Sequence, residues 1–195
     1  MKIIGLTGGT GTGKTTALNV LKKLGGVCID ADEVYHDLLL NCDDMINEIK
    51  SAFPALNSQG PLDRKKLGEI VFNDEIELKT LNAITHKYVC RRIMEILSEN
   101  SQAPFAAIDA VELVESGAGQ LCDTIVAIIA PISLRIDRIM SREGISMGYA
   151  TMRIAAQKSD KYYEENCDIV IRNDYNDRES FEKKCFEIFE KILEE

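Results

Sequence analysis

Apolar residues in this chain fall into short continuous runs and longer segments with helical spacing. The runs Ile3-Ile4-Gly5-Leu6, Val27-Cys28-Ile29-Asp30, Phe105-Ala106-Ala107-Ile108-Asp109, Thr124–Ala130 and Asp168-Ile169-Val170-Ile171 predict five buried strands. Between them, apolar positions recur at three and four. That spacing predicts helices over Thr15–Leu24 (Ala17, Val20, Leu21, Leu24 inward), Glu33–Leu40, Asp44–Phe53, Arg64–Phe72 behind an Asp63 cap, and a long helix from Asn73 or Asp74 to about Ser98. Three more follow: one capped by Ser133 and running to about Arg142, one over Tyr149–Lys158, and a closing Arg178–Glu194 with Phe181, Cys185, Ile188 and Ile192 inward.

Strands that alternate with helices predict an α/β fold, a five-stranded doubly wound parallel sheet. Residues 43–100 break the alternation: they contain helices and a loop at Pro54–Pro61, with Ile76, Leu78, Leu81, Ile84, Val89, Ile93 and Leu97 on one stripe, and are expected to be a helical insertion. Residues 143–166, with Gly148 and the polar run Ser159–Asn166, are expected to be a lid. The core is then 1–42, 101–142 and 167–195, within one domain.

At 195 residues and 45% hydrophobic, the chain can bury one full core. It has no apolar run of transmembrane length and no cationic-then-apolar leader, so a cytoplasmic location is expected. The six cysteines contain no C-x-x-C pair and the two histidines lie far from them, which predicts reduced packing residues and not a metal site. A formal charge of -9 argues against nucleic-acid or anionic-membrane partners, and what positive charge exists is expected to act locally on phosphates. No exposed heptad seam is evident, so a monomer is expected.

The sharpest chemistry is Gly8-Gly9-Thr10-Gly11-Thr12-Gly13-Lys14-Thr15, which satisfies G-x-x-x-x-G-K-[ST] between a predicted strand and a predicted helix. Glycines let the backbone curve round a polyphosphate, so that successive N–H groups and the helix's positive end, with Thr16 in its first turn, face the negative oxygens. In this pattern Lys14 reaches the β/γ-phosphates and Thr15 supplies a hydroxyl to Mg²⁺. ATP or GTP is the expected ligand.

Three acids sit at strand carboxyl ends, where an open parallel sheet faces its ligand crevice. One of Asp30 and Asp32 could accept a substrate hydroxyl's proton, while Asp32 could equally cap the helix that follows. Asp109 is a second candidate for Mg²⁺. Arg135, Arg138 and Arg142 are spaced three and four apart, and Arg153 and Gln157 follow in the lid. Guanidinium groups brought in by lid closure would stabilise charge on a moving phosphoryl group, although surface pairing with Asp137, Glu143 and Asp160 is the plainer use.

The chain resembles the dephospho-CoA kinase family over nearly its whole length. The resemblance rests on Ile4-Gly5-Leu6-Thr7-Gly8-Gly9, Asp30-Ala31-Asp32 with His36, Arg64 with Leu67-Gly68-Glu69-Ile70-Val71-Phe72, and Leu81-Asn82-Ala83-Ile84-Thr85-His86. Cys122-Asp123, Arg138 with Arg142, Gln157, and Asp168 with Asn173 complete it. It implies a P-loop sheet of the nucleoside-monophosphate-kinase type, and transfer of ATP's γ-phosphoryl to the ribose 3′-hydroxyl of dephospho-CoA. It also implies Asp32 as the base, Arg138 and Arg142 as lid arginines, the Asn173 loop against the adenine, and acceptor contacts from His36, Arg64 and His86.

Where family members carry Pro-Leu-Leu-Phe-Glu after the third strand, this chain has Val111-Glu112-Leu113-Val114-Glu115; Glu143 replaces a common aspartate. The altered stretch admits a related small-molecule kinase with another acceptor. A non-catalytic nucleotide-binding module would show damage at Lys14, Thr15 or Asp32, and all three are intact.

Overall fold

The computed structural model describes residues 1–56, 60–72 and 74–194; loop positions 57–59 and Asn73, one of the two expected starts of the long helix, lie outside the described residues. Strands β1 (Lys2–Thr7), β2 (Val27–Asp30), β3 (Phe105–Asp109), β4 (Thr124–Ile129) and β5 (Ile169–Arg172) match the five apolar runs. They form one sheet in the order β2-β3-β1-β4-β5, every adjacent pair parallel. The doubly wound α/β sheet expected from the alternation is the fold. The chain leaves β1 with a later strand on either side, so the loop after β1 opens at the point where strand order reverses, the place where such sheets bind ligands.

Both faces of the sheet are covered, which explains why its strands read as continuous apolar runs and not as alternating ones. On one face Ile4, Leu6, Val126, Ile128 and Ile171 pack against Val20 and Leu21 of α1 (Lys14–Lys23) and Phe181, Cys185 and Phe189 of α9 (Arg178–Glu194). On the other, Ile29, Ala106 and Ile108 pack against Val89, Ile93 and Leu97 of α5 (Glu75–Glu99). Two acids set the starts of strands: Asp123 accepts the Ile3 N–H (2.7 Å) and Asp168 the Ile125 N–H (2.7 Å).

The helical insertion has a core of its own, and α5 belongs to both bodies. Its first half contributes Leu81 and Ile84 to a cluster with Met45 and Ile49 of α3 (Asp43–Ala52) and Leu67 of α4 (Arg64–Phe72), whereas its second half lies on the sheet. The expected insertion, 43–100, thus ends in a half-helix that packs on the sheet. Ile76, expected inward, is 75% exposed: periodicity marks a face without marking where the partner begins.

Between β4 and β5, α6 (Ile132–Glu143) begins at Pro131, and Ser133 does not cap it. The next helix, α7 (Met147–Ala155), is capped by Ser146, which accepts the Tyr149 N–H at 3.3 Å, and it sets Ala150 and Ile154 on Ile139. The polar run expected to complete the lid folds instead as α8 (Asp160–Asn166), whose Tyr163 is buried against Ala127 and Ile129 of the sheet. One buried tyrosine anchors that run to the core. No helix among the described residues is long and apolar enough to cross a membrane.

The double role of α5 yields a stability test. Ile93 is fully buried between α5 and the sheet. Ile93→Ala is expected to cost about 2–5 kcal/mol by the usual scale for a cavity left in a packed core. Ile76→Ala is expected to stay within about 0.5 kcal/mol, as exposed substitutions do, both read as urea-midpoint shifts.

Candidate functional site

The glycine-rich loop runs from the end of β1 into α1. Gly11 and Gly13 hold φ of +77° and +103°, a left-handed backbone that side chains disfavour, and this lets the loop turn into the helix without strain. Gly13 occupies the N-cap of α1 and offers no side-chain acceptor, and no acid lies in the first turn. The first N–H groups of α1 are thus left for an external anion. They open on a cavity of about 500 Å³ lined by Gly8, Gly9, Thr10, Gly11, Gly13, Lys14, Thr15 and Thr16.

Behind the loop, its carbonyls are held from α6. Arg135, only 3% exposed, donates from Nε to Thr10 O (2.9 Å); Arg138 donates to Gly11 O (3.1 Å), Asn173 Oδ1 (3.3 Å) and Tyr175 O (2.7 Å). Asn173 Nδ2 donates to Thr12 O (2.7 Å), and Thr12 Oγ1 donates to Gly9 O (2.8 Å). With carbonyls committed backward, peptide N–H groups are presented forward. Thr12 and Asn173, both expected to contact ATP, are buried in this brace and do not line the cavity. Arg138 serves the brace and also edges the cavity; Arg142 lines it more freely, donating to Thr10 Oγ1 (3.3 Å) and Glu143 (2.6 Å). Burial pulls the Arg135 and Arg138 guanidiniums below their usual pKa, with Asp160 and Tyr163 opposing this at Arg135.

Asn19, Arg153, Gln157 and Arg178 also line this cavity. Arg178, the first residue of α9, carries no local pattern that marks it as a site residue. Arg135 had its three-residue spacing from Arg138 as a signal, and only the fold shows that it points at the loop. Together with Lys14, Arg138, Arg142 and Arg153, Arg178 concentrates cationic side chains around one cavity in a chain of net charge -9.

Parallel register sets Asp30 beside Asp109 as final residues of adjacent strands. Asp109 is 6% exposed and ion-paired with Lys14. Burial raises its pKa; the Lys14 ammonium acts against that and favours the ionised form, while Asp30 and Asp32 push upward. The helix cap is Asp30 and not Asp32: its Oδ1 accepts the N–H groups of Asp32 (2.9 Å) and Glu33 (3.1 Å) at the start of α2 (Ala31–Asn41). Among the described residues the Asp32 carboxylate has no hydrogen-bond partner, and it lines a second cavity of about 440 Å³.

That second cavity is walled by Tyr35, Leu81, His86, Val111 and Glu112, and Val111 also lines the first, so the two meet there. His86 Nε2 stands 4.0 Å from Glu112, and burial lowers the His86 pKa against the opposing pull of Glu112 and Glu115. His36 and Arg64 are exposed and do not line this cavity: His36 Nδ1 lies 2.7 Å from the Asp32 carbonyl, and Arg64 is within electrostatic reach of Tyr35. In the altered stretch, Val111 and Glu112 face the cavity and Val114 does not; Leu113 is fully buried in the core and Glu115 pairs with Lys158 at 3.6 Å.

The division of labour between the two neighbouring acids can be checked by melting. Asp30→Ala is expected to lose about 0.5–2 kcal/mol, the usual range for a lost cap, and Asp30→Asn to keep most of it. Asp32→Ala should leave the melting temperature in place; an equal loss there would reassign the cap.

A family model described as dephospho-CoA kinase matches residues 2–179. The chain is 37% identical to a dephospho-CoA kinase of Dehalococcoides mccartyi over 98% of its own length and 97% of that protein's. It is 35% identical to one of Geobacter sulfurreducens, with 98% of each covered. Among solved structures, a Thermus thermophilus protein superposes with a TM-score of 0.80 at 30% identity over 97% of both chains, and a dephospho-CoA kinase of Campylobacter jejuni with 0.69 at 28%, covering 100% of this chain and 98% of that one. A shikimate kinase of Acinetobacter baumannii shares the fold at a TM-score of 0.53 and 14% identity, over 98% of this chain and 94% of its own. With its phosphate loop, its paired strand-end acids and this extent of match, the chain belongs to the dephospho-CoA kinase family.

Proposed function

We propose that the protein transfers the γ-phosphoryl group of ATP to the ribose 3′-hydroxyl of dephospho-CoA, giving CoA and ADP, the last step of CoA biosynthesis. The observation that carries this reading is the meeting of the two cavities at Val111, with Lys14 lining one and the unpartnered Asp32 carboxylate lining the other. ATP's phosphates lie along the amides from Gly8 to Thr16, and Lys14, Arg138 and Arg142 balance the charge that spreads over the moving phosphoryl oxygens. Asp32 orients the acceptor hydroxyl and takes its proton as the new P–O bond forms and the bond to the β-phosphate breaks. His86 makes the acceptor's polar contacts in the cavity and His36 and Arg64 those outside it, and the Asn173 loop takes the adenine.

Thr15 and Asp109 fit a Mg²⁺ that completes its shell with phosphate oxygens and water, since that ion takes few protein ligands. When bound, such an ion would neutralise charge on the phosphates, with Thr15 and Asp109 as the residues that would hold it. Asp109 already faces a cation in Lys14, a place that a bound metal ion could share. Residues 43–100 form the acceptor-binding insertion and residues 143–166 the lid, in a cytoplasmic monomer without nucleic-acid or membrane partners. Glu112 in the second cavity's wall is the observation that keeps another acceptor in play.

Asp32→Asn is expected to remain folded, to bind ATP as before, and to lose dephospho-CoA phosphorylation by ~10²–10⁴-fold. Undiminished turnover would remove Asp32 from the mechanism. Lys14→Ala should abolish most turnover with any acceptor, and because it leaves the buried Asp109 carboxylate without its cation it should also lower the melting temperature, so turnover is compared at a temperature where both proteins are folded. Assaying wild-type protein with dephospho-CoA, adenosine, nucleoside monophosphates and pantetheine-type alcohols tests the Glu112 wall, and transfer to another of these with none to dephospho-CoA would overturn the acceptor assignment.

A further inference from the structure

The side chain of Gln157 has an orientation that its neighbours dictate. Its Oε1 accepts two hydrogen bonds, from Thr10 N–H (2.9 Å) and from Arg135 Nη2 (2.7 Å). Both partners can only donate, so the amide atom between them has to be oxygen and the opposite assignment is excluded. Nε2 and its two hydrogens then point away from the loop's backbone and, among the described residues, meet no acceptor, while Gln157 lines the cavity that Lys14 also lines. The arrangement is tightly built. Arg135 is 3% exposed and is committed through Nε to Thr10 O (2.9 Å), and a Cβ on Gly9 would stand 2.5 Å from Arg135 Nη2 and 2.8 Å from Gln157 Oε1. The Gln157 backbone is also held, its N–H donating to Ile154 O (3.1 Å) at the end of α7.

We infer that Gln157 is a binding residue for the terminal phosphate of the nucleotide, its amide locked in the donating orientation by Thr10 and Arg135, with Arg135 as the positioning residue. The N-terminus of α1 supplies donors from one wall of the cavity. Gln157 supplies them from the other, beyond α7, and so meets the phosphate that projects away from α1. A neutral amide donor suits that position: it strengthens the hold on a phosphoryl oxygen without adding a further full charge to a cavity already lined by arginines. The link also makes the loop and the cover one unit, because the oxygen that fixes the amide is the one that caps Thr10 N–H.

The inference rests on the reading of this cavity as a nucleotide site, and the test separates the two. ATP and ADP binding are measured by calorimetry with Mg²⁺ and without acceptor, beside kcat and melting temperature, for wild-type protein and three variants. Gln157→Glu keeps the oxygen that Thr10 and Arg135 require and removes the donor. It is expected to hold its melting temperature, to bind ADP within about threefold of wild type, and to lose about 10–100-fold in ATP affinity, the usual size of a hydrogen bond to a charged group. Gln157→Met removes the donor without adding charge but removes the oxygen as well, so it should lose ATP affinity at least as far as Gln157→Glu and, unlike it, lower the melting temperature by freeing Thr10 N–H and Arg135. Arg135→Lys cannot make both bonds and is expected to weaken ATP more than ADP, by less than the Gln157 variants. Equal loss of ATP and ADP in Gln157→Glu would reduce the residue to a structural tie, and unchanged binding of both would remove it from the site; either result overturns the inference and leaves the nucleotide reading standing. A wild-type protein that binds neither nucleotide overturns both.

Discussion

Everything at this site depends on which way the peptide planes of the phosphate loop face. A glycine-rich loop can turn either its carbonyls or its amides toward a cavity, and only the second choice attracts an anion. Here the carbonyls of Thr10, Gly11 and Thr12 are taken up from behind by Arg135, Arg138 and Asn173. Of the amides, Thr10 N–H is taken by Gln157 and Thr12 N–H by Gly9 O, and the uncapped end of α1 is left facing the cavity. Two guanidiniums placed behind the loop are expensive to bury, and the carbonyls they satisfy justify them: each cation replaces its water with fixed acceptors, and the loop gains a single conformation before any ligand arrives.

The sheet supplies the second half of the site through register. Parallel pairing ends β2 and β3 at the same level, so Asp30 and Asp109 emerge together beside the loop that follows β1. The three acids then take different parts because their surroundings differ. Asp109 is buried and faced by Lys14, Asp30 is occupied by two backbone N–H groups, and Asp32, one residue into α2, keeps a free carboxylate at the second cavity. The cap on α2 is what releases Asp32: a helix needs one acceptor at its start, and Asp30 provides it.

The helical insertion and the cover are attached to this frame at two points each. Helix α5 runs from the insertion's own core onto the sheet, so the wall that carries His86 is continuous with the protein's centre. The segment 143–166 is tied down at its far end by Tyr163 and near the loop by Gln157 and Arg135.

The sequence by itself determined the five strands, the phosphate loop and the family. Apolar runs bounded by turns have few other readings, and the G-x-x-x-x-G-K-[ST] spacing encodes a backbone shape in the residues that form it. Local signals also located the acids at strand ends and most helices to within a few residues. Tertiary structure alone decided which acid caps and which is free, since Asp30 and Asp32 are chemically alike and differ only in where the first turn of α2 points them. It alone turned Thr12 and Asn173 inward, brought Arg178 to the cavity from the start of α9, and made the polar run at 159–166 a helix anchored by a single tyrosine. Periodicity reports how residues repeat along one element. Partners drawn from distant elements are settled by packing, and the placing of Arg135 and Gln157 at the loop follows from those partners.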